Sequence, residues 1–233
     1  MEHLIISTVP SDALIRPDIL NIKPMKKLIA NFLLAAVCVF GQYTVAPGGA
    51  APADLDAGFT AMLEKSGTKL MKGDQQIAEI WFRAALPTAA KSSEPNITMG
   101  MVPHGTLLAV IKVDVVHADR RGQQVKPGTY TMRYSYFPEN GDHQGASPQR
   151  DFMLLTPTRI DKDSTVIPNF DQIVDWSRKA SGTPHPCVFS FWKEDPKMYK
   201  DGILDKQGEH DFVLMHKLGD IPVSIILVGK AEA

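Results

Sequence analysis

The sequence predicts a mainly β fold: an antiparallel β-sandwich or jelly roll with one or two short helices. Three observations carry this expectation. Short apolar or alternating runs, rich in β-branched and aromatic residues, recur from Thr68 to Val228. Turn signals built on Gly, Pro, Asn and Asp punctuate them at short intervals. Helical spacing is confined to two stretches, 54–65 and 170–180. The chain has 233 residues, 44% hydrophobic and 22% charged, which fits one globular domain and excludes wholesale disorder or a multi-span membrane protein. A formal net charge of -1 argues against a nucleic-acid partner, which selects for a basic excess.

The first 24 residues mix Glu2, Asp12 and Asp18 with Pro10, Pro17 and Pro24 and fit no targeting pattern. They are read as an upstream extension, with the true initiator at Met25. Met25-Lys26-Lys27 then forms a positive n-region, and 28–40 is apolar apart from Asn31. That run is shorter than the roughly 20 residues a bilayer span needs, and it has the length of a signal-peptide h-region. Val39-Phe40-Gly41 places cleavage before Gln42, so 25–41 is a signal peptide. The expectation is an exported protein, periplasmic or extracellular, with no transmembrane anchor in the mature chain. Val37 before Cys38 is a poor lipid-attachment context. Loss of Cys38 leaves Cys187 alone, so the mature chain has no internal disulfide.

Residues 42–53, rich in Gly, Pro and Ala, read as a flexible leader, and 54–233 as a single β-rich domain. Asp54 is placed as an N-cap ahead of Leu55, Phe59, Met62 and Leu63 at helical spacing. Lys72-Gly73-Asp74 turns between two strands; on the second, Ala78, Ile80 and Phe82 share one face and Glu79, Trp81 and Arg83 the other. The apolar run 106–116 suits a strand buried on both faces. Asp119-Arg120-Arg121-Gly122 and Pro127-Gly128 are turns around a short strand. Strand 129–137 then alternates Tyr130, Met132, Tyr134 and Tyr136 with Thr129, Thr131, Arg133 and Ser135, which predicts one buried aromatic face and one polar face. After a polar loop, 138–150, the chain returns as strand 151–156. The second helix, 170–180, is capped by Asn169 or Asp171 and stopped by Ser181-Gly182 and Pro184. Strands 187–192, 203–204, 211–217 and 221–228 follow, with turns at Gln207-Gly208 and Leu218-Gly219-Asp220, for about nine strands in all.

The stretch Lys126-Pro127-Gly128-Thr129-Tyr130-Thr131-Met132-Arg133-Tyr134 resembles a family of uncharacterised exported bacterial proteins. So does the loop Asp142-His143-Gln144-Gly145-Ala146-Ser147-Pro148-Gln149-Arg150-Asp151-Phe152, and the segment from Ser177 to Pro186 is similar. The resemblance spans most of the chain from about Leu55 to Val228. It implies export and a β-rich fold, and carries no catalytic assignment.

The 138–151 loop is the best candidate for a site, because binding groups concentrate on loops held by a rigid sheet. Its candidates are Asp142, His143, Ser147, Arg150 and Asp151, joined by His185 if the two loops meet. Bracing is the competing reading: Asp, Ser, Pro and Gly also build turns, and Arg150 has Asp142 and Asp151 at hand. A Ser147–His143–Asp142 triad fails on geometry, since adjacent Asp142 and His143 cannot orient each other. No histidine spacing supports a metal site, and no cofactor is expected. Cys187 opens an apolar strand and reads as a small buried hydrophobe. Trp81 and Trp192 are candidates for sugar stacking, with core packing the commoner role for large aromatics. The expected function is therefore a non-catalytic binding or envelope-associated module for a small molecule, glycan or envelope protein. The alternative is a hydrolase or other enzyme using His143, Arg150 and His185; convergence of these residues would favour it, dispersal would not.

Overall fold

Every hairpin anticipated from local turn chemistry is present in the computed structural model, which describes residues 43–87, 89–139 and 147–230. The upstream extension 1–24, the signal peptide 25–41 with its cleavage point, and the candidates Asp142 and His143 lie outside the described residues. The elements are β1 (Tyr43–Pro47), α1 (Ala57–Thr60), β2 (Thr68–Lys72), β3 (Gln75–Phe82), β4 (Leu107–Val113), β5 (His117–Ala118), β6 (Gln124–Val125), β7 (Gly128–Tyr136), β8 (Asp151–Pro157), α2 (Phe170–Ser181), β9 (Val188–Lys193), β10 (Leu204–Gln207), β11 (Asp211–Leu218) and β12 (Ile221–Val228). The fold is mainly β and antiparallel with two short helices, as expected. Ten strands form one sheet in the order β1-β2-β3-β4-β7-β8-β9-β12-β11-β10, while β5 and β6 pair separately. The large sheet curls nearly into a barrel. Its ends approach where the Tyr43 ring meets Phe212 edge-on, with centroids 5.0 Å apart. Among the described residues no helix is long and apolar enough to cross a membrane.

Two elements differ from their expectation. Within 42–53, read as a flexible leader, Tyr43–Pro47 form β1, paired residue for residue with β2. The pairing partner, not local sequence, makes this strand. The first helix is a single turn, capped by the Asp56 carboxylate on the Gly58 N–H, because Leu63 leaves to bridge Arg83. The second helix matches its reading: the Asn169 side chain caps the Gln172 N–H at 2.9 Å, and Gly182 closes it at φ 66°, a left-handed conformation that disfavours a Cβ.

The barrel interior takes the apolar residues of alternate positions. Ile80 and Phe82 of β3, Met132 and Tyr134 of β7, Phe189 and Phe191 of β9, and Val223 and Ile225 of β12 pack into one cluster. The outer face is covered in patches. The segment between β1 and β2 packs Leu55, Phe59 and Leu63 over Trp81, Leu107 and Val110. There the Trp81 indole donates to the Gly49 carbonyl at 2.8 Å, and the Gly49 N–H donates to Glu79 at 2.6 Å. This grip explains why a buried tryptophan shares a face with Glu79. The chain passes so close that a Cβ on Gly48 would lie 2.2 Å from the Glu79 carboxylate. Further round, α2 lays Ile173 and Val174 on Phe152, Leu154 and Val188.

Strand β7 is buried on both faces, not one. Thr131, Arg133 and Ser135, expected to face solvent, are all 0% exposed. The polar face is buried because its charge is answered: Arg133 pairs with Asp161 at 2.6 Å beneath the segment that follows β8.

Two histidines are folded in as neutral groups. His117 is buried with Nε2 2.7 Å from the Leu227 carbonyl, and burial holds its pKa below the ordinary 6.5. Burial acts the same way on His104. In the unfolded chain both imidazoles take up protons at their ordinary value, so their stabilising effect is present above about pH 6.5 and is lost as pH falls through and below it. Urea midpoints are therefore expected to fall between about pH 7.5 and about pH 5.5, and less so in His117→Gln. Identical pH profiles for parent and variant would contradict this.

Candidate functional site

Described members of the 138–151 loop are fastened to the body of the fold. Asp151 begins β8 with its side chain on the interior face. Its carboxylate accepts from the Tyr134 hydroxyl at 2.6 Å and from the backbone N–H groups of Thr98 and Met99 at 2.7 and 3.1 Å. Met99 and Val102 are thereby drawn into the barrel core, and residues around 95–102 close one barrel end. Ser147 is buried; its hydroxyl donates to the Asp151 carbonyl at 3.3 Å and accepts from the Gln149 N–H at 3.3 Å.

Arg150 completes the clasp. Its Nε donates to the Phe137 carbonyl at 2.7 Å, Nη1 to the Pro95 carbonyl, and Nη2 to the Glu94 carboxylate at 2.8 Å. The guanidinium carbon also lies 5.4 Å from the centroid of the Tyr136 ring. Its acidic partner among the described residues is Glu94, distant in sequence, and not Asp151, because the strand alternation turns Asp151 inward. With the Arg150 side chain only 7% exposed, Arg150→Ala removes the donors to two carbonyls and a carboxylate. The expected cost is about 2–4 kcal/mol, with Arg150→Lys intermediate because it restores charge but not the fork. Chemical denaturation checks this; an Arg150→Ala midpoint equal to the parent's would contradict bracing.

His185 is exposed and lies elsewhere. Because β9 runs antiparallel to β8, with the Leu155 N–H on the Cys187 carbonyl, His185 sits abreast of the far end of β8. Arg150 precedes the near end, which puts the two on the order of 20 Å apart at the usual rise per residue. The His185 neighbourhood is itself a brace. Arg121 and Gln123 both donate to the Pro186 carbonyl, at 2.5 and 2.9 Å, and Thr183 donates to Gln123. Cys187 is fully buried, and burial pushes its thiol well above the ordinary value, which removes it as a nucleophile near neutral pH.

A serine–histidine contact that the sequence reading missed is His104 Nε2 to Ser135 Oγ, 2.9 Å. Burial depresses the His104 pKa. Ser135 is 0% exposed, so this hydroxyl meets no substrate and the contact locks β7 to the segment before β4.

Two cavities flank the bracing segment. One, about 550 Å³, lies beside Arg150 against Tyr136, His104 and Phe170, with Glu94 and Glu139 at its rim. The other, about 570 Å³, opens on the outer face of β9, β12 and β11. Its floor follows from register. Trp192 of β9 stands opposite Ser224 of β12, which stands opposite Met215 of β11. Ser224 itself is fully buried and donates to Glu194, and Trp192 and Met215 on either side of it line the cavity. The segment after β9 contributes Lys197, Met198 and Lys200 to the lining, joined by Asp205 and Gln207 of β10 and by Gln149. Trp192 is partly exposed, and its indole N–H is fixed on Glu194 at 3.2 Å, which also accepts from Ser224 at 2.6 Å. The side-chain polar groups of Gln149, Lys197, Lys200, Asp205 and Gln207 make no hydrogen bond or ion pair among the described residues. These rim residues were not singled out from sequence; the legible signal was Trp192 followed at once by a charged, strand-breaking stretch. No group of three or more histidine, cysteine or carboxylate side chains placed to hold a metal occurs among the described residues. No family model, curated protein or solved structure matches the chain.

Proposed function

We propose that this protein is an exported, non-catalytic binding module and that its ligand occupies the groove floored by Trp192. The observation that carries the reading is a contrast in commitment. Arg150, Asp151, Ser147 and His104 spend their hydrogen-bonding capacity inside the fold. Beside a Glu194 tied to Trp192 and Ser224, the side chains of Gln149, Lys197, Lys200, Asp205 and Gln207 have no partner among the described residues and line a groove of a size within the roughly 300–1,000 Å³ of small-molecule sites. The separation of Arg150 from His185 favours binding over an enzyme built on those residues. Export rests on the 25–41 leader, and an intact mass beginning at Gln42 is its check.

The binding reading is tested by thermal melts of the parent and Trp192→Ala against a library of metabolites, oligosaccharides and short peptides. A compound that raises the parent midpoint and leaves Trp192→Ala unmoved is the expected result. Shifts that survive Trp192→Ala but vanish in Tyr136→Phe would move the site to the cavity beside Arg150 and overturn the assignment.

A further inference from the structure

We infer that the ligand of the Trp192 groove is a neutral carbohydrate, a short oligosaccharide lying with a pyranose face on the indole; this rests on the groove being the binding site. The ring is held before any ligand arrives. Its N–H is tied to Glu194, and Glu194 is itself fixed by Ser224 and by the Asp195 N–H at 2.9 Å. A pre-set aromatic face loses little freedom on binding. Its negative quadrupole suits the weakly positive C–H face of a sugar ring. The apolar edges continue in Met198 and Ile203, 64% and 45% exposed, which line the same groove and have no apolar cover of their own.

Charge decides against the alternatives. Lys197 and Lys200 are balanced by Glu194 and Asp205, so the groove has no formal net charge to select an anion or a cation. What it offers is a mixed rim: ammonium donors, a carboxylate acceptor, and the amides of Gln149 and Gln207, which both donate and accept. A ring of hydroxyls, each donor and acceptor, satisfies such a rim; a fatty chain leaves it unpaired, and uniform charge meets repulsion from one side.

The test uses the purified protein on an array of neutral and acidic oligosaccharides, followed by titration calorimetry with the neutral trisaccharides that score. Tetrapeptides of mixed charge serve as the competing class. The expected result is binding of a neutral glycan that is insensitive to added salt. Trp192→Ala should weaken it by roughly tenfold or more, whereas Trp192→Phe keeps a stacking face and should lose only about threefold. Gln207→Ala, on an exposed strand edge, should weaken binding with no change in the melt. Trp192-dependent binding of peptides or acidic glycans alone would overturn the carbohydrate assignment and leave the groove as the site. No Trp192-dependent binding from any class would overturn both.

Discussion

Asp161→Ala is expected to cost about 3–5 kcal/mol of folding stability, the range for removing one partner of a buried ion pair. Arg133 and Asp161 are 0% and 1% exposed at their side chains. The pairing is bidentate, Nε to Oδ2 at 2.6 Å and Nη2 to Oδ1 at 2.9 Å. Thr131 donates to the same carboxylate at 2.6 Å, and Nη1 reaches the carbonyls of Gly105 and Val166 at 2.9 and 3.0 Å. One guanidinium therefore ties β7 to the segment before β4 and to the chain between β8 and α2. Alanine at 161 strands a charge that water does not reach. The double change Arg133→Met with Asp161→Leu should recover part of the loss, because two apolar groups replace the pair without leaving a charge. Urea unfolding measures all three; a single variant as stable as the parent would contradict the buried pair.

Tyr134→Ala should cost about 3–5 kcal/mol, as other large-to-small core changes do. Its ring is 0% exposed in the interior cluster, within 6.4 Å of the Phe191 ring by centroids. Tyr134→Phe separates the hydroxyl from the ring. It leaves Asp151 two backbone donors in place of three, at an expected cost of about 1–3 kcal/mol. The phenol also gives a pH signature. Burial, with the Asp151 carboxylate beside it, pushes its pKa far above the ordinary 10.0. Its stabilising effect is complete below that value and declines as pH rises past it, where the unfolded chain ionises and the native one does not. Tyr134→Phe should flatten the alkaline decline, and an unaltered alkaline limb would place the hydroxyl elsewhere.

Sequence reading succeeded where the information is local. The Gly73 turn, the Asn169 cap with its Gly182 stop, and the inward alternation of Tyr130, Met132 and Tyr134 each follow from residues a few positions apart. It fell short where the deciding partner is distant. Tyr43–Pro47 become a strand because β2 supplies their hydrogen bonds. Arg133 reads as a surface residue until Asp161 arrives beside it. Arg150 was expected to pair with Asp142 or Asp151; Asp142 lies outside the described residues, Asp151 turns inward, and the carboxylate partner among the described residues is Glu94. The candidate loop was thus visible, but its role depends on the chain it fastens. Trp192 was visible as an aromatic; the cavity beside it depends on the register that brings Met215 of β11, two strands away, level with it.

The division between a bracing loop and an open groove is tested most directly by heteronuclear NMR of ¹⁵N-labelled protein during addition of a ligand that raises the melting midpoint. Two side-chain signals report on the two places, the Trp192 indole N–H and the Arg150 Nε–H. The indole signal is predicted to shift in proportion to occupancy while the Arg150 signal stays fixed. A shift of the Arg150 Nε–H with a silent Trp192 indole would contradict the account and make the Arg150 loop the binding site.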